Sequence, residues 1–277
     1  RLRPACSGHD MIVISLGVIV GIILALTGAG GGIIAVPLLV FGVHLSLAQA
    51  GPIGLLAVSL AAGLGALMGL RAGIVRYKAA LLIATTGMLL SPLGLWLAQR
   101  MPNQPLSVLF ALVLFWVAWR SYHQGSQHAV QHLDQGDCRA ALPCQLNPDT
   151  GRFIWNAASV RTFILVGMAA GFLSGLLGVG GGFVLVPVLQ RYTPLPMRSI
   201  VATSLAVIAM VSLSAVALSS LQGHFDWAIG WRFAAGALAG MLLGSYLSRF
   251  LAGPQLSKGF ALLAMLVGLG LIGKAFW

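Results

Sequence analysis

The sequence predicts an all-α polytopic membrane protein made of two homologous repeats, about residues 12–120 and 162–275, each opening with a helix broken by glycines. Three observations predict it. First, charge is scarce. Of 277 residues, 58% are hydrophobic and 8% charged, and the mean hydropathy is +0.95, whereas a soluble domain carries about 25% charged residues. Second, no charged residue occurs from Met11 to Leu70. At about 20 apolar residues per span, that stretch can cross a bilayer more than once. Third, an unusual glycine string occurs twice in register. The alternating apolar and polar segments of a transmembrane β-barrel are absent from the sequence.

The repeat is exact in its spacing. A shift of 150 positions aligns "LTGAGGGIIAVPLLV" (26–40) with "LLGVGGGFVLVPVLQ" (176–190) without a gap. Gly17 meets Gly167, Gly21 meets Gly171, Leu55 meets Leu205, Gly73 meets Gly223 and Gly94 meets Gly244. Phe110-Ala111-Leu112 meets Phe260-Ala261-Leu262. Apolar low complexity yields chance matches, but not a whole string in register with partners about 80 residues downstream.

The elements follow in order. In the first repeat, apolar segments cover 12–27, then a glycine break, then 33–43, 48–70, 79–99 and 105–120. In the second they cover 162–177, a break, 183–190, 198–221, 227–250 and 256–275. Together these give 8–10 membrane helices or half-helices. Residues 1–11 form a polar N-terminal tail, and residues 121–161 a polar linker holding three of the five acidic residues. Met11 to Val40 is too long, and too glycine-broken at its centre, for a cleaved signal peptide. Cys6, Cys138 and Cys144 make no disulfide framework.

The net charge is +11, from 16 Lys and Arg against five acidic residues. The basic residues sit in short loops, as membrane topology requires. No basic stripe interleaved with aromatics suggests nucleic acid. Matching loops swap their bias: "RAGIVRYK" (71–78) is basic whereas "LQGHFDW" (221–227) has no Lys or Arg. "GVHLSLAQ" lacks Lys and Arg whereas "QRYTPLPMR" holds Arg191 and Arg198. Opposite orientation of the two repeats would produce this swap. It requires an odd number of crossings per repeat, with the broken segment entering and returning as a hairpin. The linker side is then cytoplasmic and both termini are outside. Four single crossings per half, in parallel, divide the charges just as unevenly, so the swapped loops alone favour inversion.

Consecutive glycines destabilise a helix by roughly 1 kcal/mol each relative to Ala, and broken backbone inside a bilayer is tolerated only when buried in protein or lining a watery cavity. The GxGGG strings therefore mark breaks facing the protein interior, with the next helices starting near Ile33 and Phe183. Helix starts carry unpaired N–H groups and partial positive charge. Two such starts near the bilayer centre would make an anion site without a buried cation. The candidate substrate-binding residues are thus Gly28, Gly30, Gly31, Gly32 and Pro37 with Gly178, Gly180, Gly181, Gly182 and Pro187. Each proline frees a helix carbonyl, shaping the cavity or merely bending the helix. Thr203 and Ser204 in "ATSLAV" add hydroxyls that either donate to an oxyanion or bond back to their own helix; Ser59 and Gln49 are weaker candidates. Gly17/Gly21, Gly167/Gly171 and Gly236/Gly240/Gly244 have the spacing of helix packing alone. Neither string is a P-loop or a dinucleotide fingerprint.

The duplicated GxGGGxxxxP strings at 28–37 and 178–187, the "ATSL" segment at 202–205 and the chain length resemble the sulfite exporter TauE/SafE family, the TSUP membrane transporters. The resemblance covers nearly the whole chain outside residues 1–10 and the linker. It implies transport of sulfite, an organosulfonate such as sulfoacetate, or a related sulfur anion across the cytoplasmic membrane. The first half departs from the pattern at "PIG" (52–54), where a second TS-like pair would be expected.

No Asp or Glu lies well inside a predicted span, which argues against a carrier driven by Na⁺ or a divalent cation. An interior-negative potential drives anions outward with about 2.3 kcal/mol per charge per 100 mV, so export by alternating access is expected. Arg232 lies a few residues into a predicted helix and is expected to snorkel to the interface. The rival reading is a membrane metal sensor or metalloprotein using His123, His128, His132, Cys138 and Cys144 of the linker, which lack CxxC spacing. No His stands where a nucleophile within the spans could use it, so no catalytic residue, cofactor or metal site is assigned. The expected partners are a small anionic substrate and the lipid bilayer, with no nucleic acid; a homo-oligomer is left open.

Overall fold

A computed structural model describes residues 7–28, 30–43, 45–127, 157–193, 196–221, 227–247, 265–270 and 273. The described residues form α1 (Ser7–Thr27), α2 (Gly30–Gly42), α3 (Leu47–Arg71), α4 (Tyr77–Arg100), α5 (Asn103–Gln127), α6 (Ala157–Leu177), α7 (Gly182–Tyr192), α8 (Met197–Leu221) and α9 (Trp227–Leu247), with no strand among them. Residues 265–270 are also helical. In hydrocarbon every backbone N–H and C=O must be satisfied within the segment, and the helix does this. Six of these helices (α1, α3, α4, α6, α8 and α9) are long and apolar enough to cross a membrane. The outward-facing side chains are apolar to match: Leu89, Leu93, Trp96, Leu165 and Leu243 are exposed.

Helix ends depart from the apolar segments. α1 starts at Ser7, inside the stretch expected to be a polar tail. α5 continues to Gln127 and α6 starts at Ala157, so both enter the expected linker. The apolar run marks where a helix meets lipid; helix propagation continues while each added residue closes one more backbone bond. Residues 128–156, with His128, His132, Cys138 and Cys144, lie outside the described residues, as does most of the expected last segment, 256–275. α3 has a defined start: Ser46 Oγ accepts from Gln49 N–H, and the Gln49 side chain accepts from Ser46 N–H. This reciprocal cap satisfies two orphan donors.

The two halves interlock. α1 lies along α9, and α4 lies along α6, so the first helix of each half packs on the fourth helix of the other. α3 and α8 pack against each other and are the most buried of the long helices. The glycine contacts carry the same 150-residue offset as the sequence. A Cβ on Gly17 would strike the Phe233 carbonyl, and one on Gly167 the Ile83 carbonyl. Gly21 abuts Ala237, and Gly171 abuts Gly87. Gly94 abuts Phe172, and Gly244 abuts Ile22. These ladders serve helix packing, as their spacing implied, because small residues let backbones approach where no hydrophobic force separates helix from lipid. One apolar core spans both repeats, from Val20 and Leu24 to Phe233 and Met241.

Candidate functional site

Both glycine strings break the chain. α1 ends at Thr27; Gly28 N–H still bonds to the Leu24 carbonyl at 2.8 Å, but Gly28 itself has φ +72°. α6 ends at Leu177, and Gly178, Gly180 and Gly181 take φ of +70°, +82° and +64°. This left-handed region is open to glycine and costly for other residues. The glycines at 28, 31 and 32 and at 178 and 180–182 are buried in the protein.

The two strings are spent differently. The second helix of the first half starts at Gly30, not near Ile33, so Gly30, Gly31 and Gly32 are helical. Gly31 and Gly32 serve proximity instead of turning. A Cβ on Gly31 would lie 2.5 Å from Leu24 Cβ, and one on Gly32 would collide with the Val179 carbonyl oxygen. In the second half Gly180 and Gly181 do the turning, and α7 starts at Gly182, one residue before Phe183.

The Gly32–Val179 approach brings the two breaks into direct contact. Around them the halves exchange partners. A Cβ on Gly28 would lie 2.5 Å from Val201 Cγ1 of α8, and one on Gly178 would lie 2.5 Å from Gly51 Cα of α3. Val201 and Gly51 are themselves 150 residues apart. Where the first break meets a valine side chain, the second meets bare backbone. Pro37 and Pro187 lie buried inside α2 and α7, where each removes one N–H from the helix ladder.

Thr203 and Ser204 are buried beside the first break. Thr203 Oγ1 accepts from Arg76 N–H at 3.2 Å and so holds the start of α4. Ser204 Oγ donates to the Val201 carbonyl at 2.8 Å and stands 3.4 Å from the Gly28 carbonyl. Arg76 brings a cation to this neighbourhood, and its Nε is buried without a hydrogen-bond partner. Of the weaker candidates, Ser59 bonds back to the Leu56 carbonyl at 2.8 Å.

Other polar groups at the breaks escaped the sequence reading. Ser212 Oγ lies 3.0 Å from where a Cβ on Gly180 would sit. Ser174 is one turn before Gly178. Both hydroxyls are buried and lack a partner. With Ser219, Ser204 and Ser212 recur at seven- and eight-residue spacing, which is one face of α8. That periodicity was the available signal, but it hides among other serines in "VSLSAVALSSL".

A partly open cavity of about 470 Å³ lies against the second break. Gln49, Gly51 and Pro52 at the start of α3, Arg100 at the end of α4, Gly178 and Ser219 line it. The Arg100 guanidinium stacks over Trp96, 4.1 Å from the ring centroid, an arrangement that holds a cation in place at a modest gain. Arg232 is elsewhere, paired with Asp10 at 2.7 Å. Among the described residues no group of three or more His, Cys, Asp or Glu could hold a metal.

Long apolar helices around two touching, glycine-broken segments define a multi-pass membrane protein with discontinuous helices. The chain belongs to the sulfite exporter TauE/SafE family, whose profile matches residues 13–271. It is similar to the probable membrane transporter protein YunE of Bacillus subtilis, 24% identical over 95% of this chain and 97% of the relative. A probable membrane transporter protein of Xylella fastidiosa is 29% identical over 96% of both chains. One from Methanocaldococcus jannaschii is 28% identical over 73% of this chain and 69% of its own. No solved structure matches the chain significantly.

Proposed function

We propose that this membrane transporter exports a small sulfur oxyanion, sulfite or an organosulfonate, across the cytoplasmic membrane by alternating access around the paired breaks. The observation that carries the reading is the contact of Gly32 with Val179, which joins the two breaks at the start of α2. Helix starts offer N–H groups and partial positive charge to an anion. Serine hydroxyls without partners at the second break add donors. The α3–α8 packing and the reciprocal glycine contacts fit two halves that rock against each other. The substrate-binding residues are Gly28, Gly30, Gly31, Gly32, Pro37, Gly178, Gly180, Gly181, Gly182, Pro187, Thr203 and Ser204.

Purified protein in liposomes loaded with sulfite, sulfoacetate or methanesulfonate tests this. Release above protein-free vesicles supports it; no flux and no binding for every oxyanion tried overturns it. The repeats, 12–120 and 162–277 about a linker at 121–161, are inverted in this reading, with a cytoplasmic linker and both termini outside. A reporter active only in the cytoplasm, fused after Trp277, should stay dark; a strong signal rejects the inverted arrangement.

A further inference from the structure

We infer that the cavity against the second break is an oxyanion-binding antechamber, with Arg100, Gln49 and Ser219 as its recognition groups; this rests on the oxyanion reading above. Three independent features converge there. Among the described residues, Arg100 is the one charged residue lining the space and no acidic side chain lines it. Trp96 fixes the guanidinium at the rim. Gln49 gives its carboxamide oxygen to the Ser46 N–H, so its amide nitrogen is the end left to donate. Ser219 is 1% exposed, its hydroxyl has no hydrogen-bond partner, and it faces this cavity. A buried hydroxyl without a partner carries an unmet desolvation cost, which a bound oxyanion relieves. A rigid guanidinium presents two parallel N–H donors to paired oxygens of a pyramidal sulfite or a tetrahedral sulfonate.

The packing at the equivalent positions of the two halves differs. The residues 150 positions from Gly51 and Ser219 are Val201 and Gly69. Val201 fills the space beside Gly28, and a Cβ on Gly69 would lie 2.9 Å from Ala202 Cβ and 3.0 Å from Val75 Cγ2. Where Val201 fills the space in one half, Gly51 leaves it open in the other: a Cβ on Gly51 would meet only Gly178 Cα, at 3.6 Å. The serine face of α8 runs from this chamber, at Ser219, past Ser212 at Gly180, to Ser204 at Gly28. It connects the antechamber to both breaks with hydroxyls.

The test reads cavity chemistry without requiring flux. In detergent-solubilised protein with Cys6, Cys138 and Cys144 replaced by Ser, Ser219→Cys is labelled with sulfonatoethyl or trimethylammonioethyl methanethiosulfonate. Rates are normalised to those with a free thiol. The anionic reagent should react at least about tenfold faster, the scale of electrostatic focusing in a charged cleft. Millimolar methanesulfonate should slow it. Arg100→Gln should abolish the preference and Arg100→Lys should keep it. Preference for the cationic reagent would mean that the carbonyls ending α6 set the potential, and would overturn the proposal. So would failure of both reagents to reach Ser219→Cys, or a preference unchanged in Arg100→Gln. Protection by phosphatidylglycerol micelles but not by methanesulfonate would assign the chamber to a lipid headgroup instead. If the anionic preference holds while liposomes show no oxyanion flux, transport fails and the binding chamber stands.

Discussion

Gly32 and Gly73 are glycines for opposite reasons. Gly32 is helical, and a Cβ there would strike the Val179 carbonyl. Gly73 has φ +68° with nothing within 4 Å of a Cβ. Gly63, inside α3, needs neither freedom, since a Cβ would find only Ala209 Cβ at 3.9 Å. Thermal unfolding in detergent should separate the three. Gly32→Ala should cost about 1–3 kcal/mol as overpacking, with loss of any flux. Gly73→Ala should cost about 1–2 kcal/mol of backbone strain. Gly63→Ala should gain up to about 1 kcal/mol of helix propensity. If Gly32→Ala melts no earlier than Gly63→Ala, the breaks do not touch tightly. Charge at the surface matters less. The Arg232–Asp10 pair is short at 2.7 Å but partly exposed at 47% and 38%, so Arg232→Gln should shift stability by less than about 1 kcal/mol. A larger shift would show that this pair fixes α1 on α9. Which glycines turn and which permit contact was not readable from the string, because GAGGG and GVGGG share four of five letters and only the neighbours differ.

The helices themselves were largely legible. Apolar runs without charge force helix in lipid, so α3, α4 and α8 fall within a residue or two of their expected limits. The extension of α5 to Gln127 was not legible, since polar residues in "SYHQGSQ" neither require nor forbid helix. Helix pairing was foreshadowed by the glycine ladders, but their partners were not. Gly21 and Gly171 fit the same spacing rule, yet their partners, Ala237 of α9 and Gly87 of α4, lie in the opposite half. The reciprocal packing makes a matched prediction: Gly21→Leu and Gly171→Leu should lower the unfolding temperature by similar amounts, each pushing apart one cross-half helix pair. Leu89→Ala, on an outward-facing position 75% exposed, should change it little. Strong loss for one glycine variant alone would show that the two pairings are not equivalent.

At the scale of the whole molecule, the two halves share one apolar core among the described residues. If the cargo is a monovalent anion moved without a co-ion, flux should follow the membrane potential. In liposomes clamped by a potassium gradient and an ionophore, an interior-negative 100 mV should favour efflux by about 2.3 kcal/mol. Potential-independent flux would require a coupled charge. Composition and the repeated string determined the class of protein, the broken helices and the family likeness, because scarcity of charge and runs of glycine each admit few physical outcomes in a bilayer. Tertiary structure alone decided that the breaks meet through Gly32 and Val179. It turned Thr203 to the start of α4 and Ser204 to the first break, and it opened a chamber beside Gly178 where Gly51 stands in place of a valine. Those outcomes depend on which surfaces face each other across the two halves, and no local sequence signal carries a contact between residues 147 positions apart.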